Sequence, residues 1–105
     1  MDNFKLIYKI LKILDKYKGR EDFDPSLVSA QALRCEFACW ESIMIELQNA
    51  GYIRGLVCTQ TQANMYPHIV EPIHPAITLK GMEYLAENGM MAKAKEALKL
   101  VGDIL

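Results

Sequence analysis

Two short segments constrain this chain more than anything else in it. Leu47-Gln48-Asn49-Ala50-Gly51-Tyr52-Ile53 runs a helical pattern into a glycine and passes directly into a β-prone stretch. A glycine at that place accepts the left-handed turn that ends a helix. Downstream, Ile77-Thr78-Leu79-Lys80-Gly81-Met82-Glu83-Tyr84-Leu85 opens a new helix, with Thr78 as its cap and Ile77 and Met82 spaced as a hydrophobic staple. The stretch between them has room for one hairpin.

The earlier part of the chain supplies helices. Helix 1 is expected from about Asn3 to Lys18, ending at Gly19. Lys5, Lys9, Lys12 and Lys16 fall within an arc of about 60° at helical spacing, leaving two apolar stripes. Phe4, Ile7, Leu11 and Leu14 form one, assigned to the core; Leu6, Ile10, Ile13 and Tyr17 form the other, which needs a cover. Arg20 to Pro25 reads as a loop and Ser26-Leu27-Val28 as a short edge strand. Ser29 is the expected cap of a short helix 2 through Leu33. Helix 3 is expected from Glu36 to Ala50, with Phe37, Trp40, Ile43, Met44 and Leu47 facing the core and Ala38, Glu41, Ser42, Ile45, Gln48 and Asn49 on the opposite face. Tyr52 to Thr59 reads as a strand, Gln60 to Pro67 as a polar tip, and Ile69-Val70 as the return. Pro72 and Pro75 mark that return as an edge. Asn88-Gly89 is the expected end of helix 4. Helix 5 follows from Met91 to about Ile104, presenting Ala94 and Ala97 for close packing on helix 1, either in its own chain or across the two-fold of a homodimer.

Three helices, a hairpin and two helices is the order of a winged helix-turn-helix with an added C-terminal helix. The expected fold is therefore mainly α with a small β hairpin, one domain over residues 1–105, with the wing at about 52–75 and the C-terminal helices at about 78–104. The run Gly51-Tyr52-Ile53-Arg54-Gly55, the helix from Ile77-Thr78-Leu79-Lys80-Gly81 through Asn88-Gly89, and the lysine-rich terminal helix together resemble the YjcQ-like family, small winged-helix proteins of bacteria and their phages. The resemblance covers the second half of the chain by its residues and helices 1 to 3 by pattern. It implies a winged helix of phage or prophage origin and carries no established biochemical activity. The wing, Thr59 to His68, is long for that family, and the resemblance gives it no role.

Composition sets few limits on function. At 51% hydrophobic and 24% charged, with a net charge of −1, nothing global draws the chain to polyanions or membranes. No apolar run approaches the roughly 18 residues of a membrane span, and lysines interrupt the apolar segment behind Met1, so a cytoplasmic protein is expected. Its three cysteines read as reduced thiols. Cys35, Cys39, His68 and His74 carry zinc-ligand chemistry, but they lack paired-ligand spacing, and neither metal nor cofactor is expected. No phosphate loop, nucleophile elbow or paired carboxylates appear, so no enzyme is expected.

Two functions then compete. A winged helix by default reads DNA with helix 3 and steadies itself with the wing. Arg34, Arg54 and Lys80 are the candidates for phosphates, and Ser42, Gln48 and Asn49 for base edges. Against this, Glu36 and Glu41 stand where helix 3 would meet phosphates, and the wing tip Thr59 to Asn64 carries no lysine or arginine. The binding of duplex expected from this set is weak. The alternative is a protein–protein module, using an exposed Ile45 and the second stripe of helix 1, Leu6, Ile10, Ile13 and Tyr17, most simply as a homodimer.

Overall fold

The structure is a computed structural model and describes residues 3–60 and 66–89. Helix α1 spans Asn3–Lys16, α2 spans Ala30–Leu33 and α3 spans Phe37–Asn49; residues 79–89 form α4. Between α3 and α4 the chain forms one long hairpin, split into two short antiparallel ladders. Near its base β1 (Ile53–Arg54) pairs with β4 (Ala76–Ile77), and farther out β2 (Cys58–Thr59) pairs with β3 (His68–Ile69). The architecture is thus mainly helical with a small hairpin, in the order expected of a winged helix. The wing tip at 61–65 and the expected terminal helix from Met91 lie outside the described residues.

Caps place the boundaries. Ser29 Oγ accepts from Ala32 N–H at 3.1 Å, starting α2 where expected. Gly51 has φ of 87°, and α3 ends in a Schellman pair, Tyr52 N–H to Leu47 O at 2.9 Å and Gly51 N–H to Gln48 O at 3.0 Å. Thr78 joins the two helix ends. Its hydroxyl accepts from Gly81 N–H at 3.1 Å and donates to the Gly51 carbonyl, while its own N–H donates to Tyr52 O. Gly81 must be glycine here, because a Cβ would sit 2.3 Å from Tyr52 O.

Several expectations change. Residues Pro25–Val28 form a 3-10 turn, not an edge strand: Asp24 caps it by accepting from Ser26 N–H at 3.0 Å, which holds that carboxyl below its usual range. The expected stop of α4 at Asn88-Gly89 falls at the edge of the described residues, and α4 is still helical there. The Asn88 side-chain amide folds back to donate to Tyr84 O at 2.8 Å, and Gly89 keeps helical backbone. The strand Tyr52–Thr59 is broken at Gly55, whose φ of +96° turns it out of extended geometry. Finally, α1 does not carry a surplus stripe.

Leu6, Ile10, Leu11 and Leu14 of α1 are all buried, in a core with Val28, Leu33, Trp40, Met44, Leu47, Ile53, Leu56, Ile73, Ile77 and Leu85. At helical spacing these four α1 positions make one arc of about 140° that straddles both expected stripes. The helix is flanked by β4, α3 and the 3-10 turn, which together cover that arc. Leu6 and Ile10 therefore belong to the core and not to an interface. Phe4, expected inside, is 72% exposed. Ile13 is half-buried, and half-buried Tyr17 packs on Phe23 with ring centroids 5.3 Å apart. Phe37 likewise lies mostly outside the core and rests against Trp40. Among the described residues no helix is long and apolar enough to cross a membrane.

Candidate functional site: the groove between α3 and the wing

In a winged helix the outward face of α3 is the surface that would enter DNA. Here it is occupied by the chain's own wing. Glu41 points outward from the middle of α3, yet its side chain is only 10% exposed. Oε1 lies 2.9 Å from His68 Nδ1, and Oε2 accepts from the Ile69 backbone N–H at 3.1 Å. Both oxygens of one side chain thus hold the outer ladder of the hairpin against α3. The Ile69 N–H would otherwise be an open edge donor, and Glu41 satisfies it.

Beside this clasp runs a groove of about 500 Å³, lined by Ala38, Glu41, Ser42, Ile45 and Glu46 from α3 and by Tyr66, Pro67 and His68 from the wing. The α3 residues recur at intervals of three and four, one face of the helix. Ile45, expected to be exposed, is 9% exposed because this contact covers it. Among the described residues no lysine or arginine lines the groove.

The other residues expected to bind nucleic acid fall in different places. Gln48 is committed to the fold: its amide donates to Leu56 O at 3.0 Å and accepts from Leu56 N–H at 2.8 Å. That closed pair supports the backbone just past Gly55, where the hairpin has no ladder. Lys80 is also engaged, donating to Ala50 O at 2.9 Å and lying 5.2 Å from the centre of the Tyr52 ring. A cation there satisfies a terminal carbonyl of α3 and its dipole. Arg54 and Lys80 share a shallow depression with Gly51, Thr78 and Leu79, at the opposite end of α3 from Ala38. Arg34 is exposed at the end of α2 with φ of 55°, and Asn49 is exposed in the last turn of α3. Only Ser42 lines the groove. The six candidates do not form one surface.

The cysteines and histidines are similarly dispersed. The Cys35 thiol faces Ala30 O at 3.8 Å, and burial, with neighbouring Cys39, pushes it up from its ordinary value. Cys39 approaches Asn3 Oδ1, Cys58 is exposed on β2, and His74 is exposed in the return. Among the described residues no three His, Cys, Asp or Glu side chains are grouped to hold a metal ion.

A protein-family profile described as YjcQ protein matches residues 8–104, nearly the whole chain. The chain belongs to the YjcQ family. No curated protein and no solved structure matches it significantly. For this YjcQ-family chain the clasp of Glu41 on His68 and Ile69 is the feature that sequence reading missed. Glu41 reads locally as an acid in a helix; the only available signal was its place on an outward face beside Ile45, opposite Trp40.

Proposed function

We propose that this chain is a winged-helix module of phage or prophage origin that engages another protein through the α3–wing face, and does not read duplex DNA with α3. The observation that carries this reading is Glu41: a buried carboxylate in the middle of the would-be reading face, holding the wing across it. Major-groove reading needs that face open and cationic. The wing supports the same reading, since it exposes Val57, Tyr66 and Val70 where a backbone-gripping wing would present lysine or arginine.

The expected result with a non-specific duplex is weak binding and a shallow salt dependence. Arg34 lies apart from Arg54 and Lys80, and Lys80 is held on Ala50 O, so three phosphate contacts are the upper bound and the log–log slope is expected to be no steeper than about −3 between 50 and 200 mM salt. A slope near −6 or steeper would overturn the reading and point to the exposed lysine row of α1, Lys5, Lys9, Lys12 and Lys16.

A homodimer stays within the proposal in reduced form. Leu6 and Ile10 serve the core, so a second copy would cover Ile13, Tyr17 and the exposed wing residues. Light scattering is expected to read twice the 11.9 kDa chain mass. A reading of one chain mass would remove the homodimer and leave a different protein as the partner.

A further inference from the structure

We infer that the groove between α3 and the wing receives an extended protein segment of three or four residues, with a lysine or arginine beside a large apolar side chain. This rests on the interaction-module reading above and specifies the partner's chemistry. From Ala38 to Glu46 the groove follows eight residue steps of α3, about 12 Å at 1.5 Å per step. An extended chain covers that length in three or four residues at about 3.3 Å each.

The lining sets the side chains. Exposed Ala38 and half-buried Pro67 offer apolar surface over the covered Ile45, which suits a leucine-sized group. The carboxylates are not equivalent. Glu41 has both oxygens engaged by the wing, whereas exposed Glu46 forms no ion pair among the described residues. The complement to Glu46 is a cation, and the Tyr66 ring, 74% exposed on the opposite wall, adds a face on which a cation can rest. Among the described residues His68 is the one basic side chain in the lining, and Glu41 already holds it.

The test is a ¹⁵N–¹H titration of the full chain with three capped hexapeptides: alternating lysine and leucine, alternating glutamate and leucine, and alternating lysine and serine. The lysine–leucine peptide is expected to shift the amides of Ala38 to Glu46 and of His68, with each of the other two at least about fivefold weaker. Glu46→Lys, an exposed helix position that leaves the clasp intact, is expected to weaken the lysine–leucine peptide roughly fivefold and to strengthen the glutamate–leucine peptide. Ser42→Arg, which fills the groove, is expected to weaken both. Equal response to the two leucine peptides, or shifts centred away from α3, would overturn the inference. A duplex DNA arm separates the two levels of argument. Shifts of Ala38 to Glu46 by duplex would overturn the underlying reading, while silence toward both duplex and peptides would overturn the groove assignment alone.

Discussion

Replacing Trp40 with alanine is expected to lower the unfolding free energy by about 3–5 kcal/mol. That is a large share of the roughly 5–15 kcal/mol that holds a domain of this size together. Trp40 is 2% exposed, and its indole N–H donates to Val28 O at 2.7 Å. One side chain therefore fills the core and ties the 3-10 turn to α3. Truncation leaves a cavity and strips the Val28 carbonyl of its donor. Trp40→Phe separates the two contributions, keeping most of the volume and leaving the carbonyl unsatisfied at a cost of about 1–3 kcal/mol. Urea titrations followed by far-UV circular dichroism measure both. A loss below about 1 kcal/mol for the alanine variant would mean that Trp40 does not organise this core.

Gly55→Ala is expected to be comparably damaging for a different reason. Its φ of +96° lies in the left-handed region, and an added Cβ would sit 2.2 Å from His74 O in the returning strand. The conformation and the forced shift each cost about 1–3 kcal/mol. Gly19→Ala is the control. Gly19 has φ of +76° but nothing within 4 Å of the added atom, so only the conformational cost applies. The difference in urea midpoint between the two variants reports the close approach of the hairpin strands. If they lose equal stability, that approach does not constrain the fold. Gly55 also stands between the two ladders, so its replacement is expected to displace the wing from α3 and broaden the amide signals of Ala38 to Glu46.

What was legible in the sequence was what is settled within a few residues along the chain. Ser29 capping α2, Gly51 ending α3 and Thr78 opening α4 each satisfy backbone groups of their own turn, so residue type and position were enough. Helical spacing likewise placed Trp40, Met44 and Leu47 inside. Periodicity was less informative for α1, where almost every position off the lysine row is apolar. Spacing then offers two stripes, and only the neighbours select the arc from Leu6 to Leu14. The break at Gly55 was not legible because what makes glycine necessary there, the close approach of the His74 carbonyl, comes from the hairpin and not from neighbouring residues.

The candidate site shows the same division more sharply. Local sequence determined that α3 would present Glu41, Ser42 and Ile45 away from Trp40, and that no cation would stand among them. It also determined the order of helices and hairpin that places a wing next to that face. Whether the face would be open or covered depended on contacts 27 and 28 residues apart, from Glu41 to His68 and Ile69. Gln48 looked equally free to read a base until the fold brought the Leu56 backbone to its amide. Helix ends and apolar faces follow from short-range hydrogen bonding and burial, which the order of residues encodes directly. The use made of an outward polar side chain follows from what tertiary structure sets opposite it, and here that was the chain's own wing.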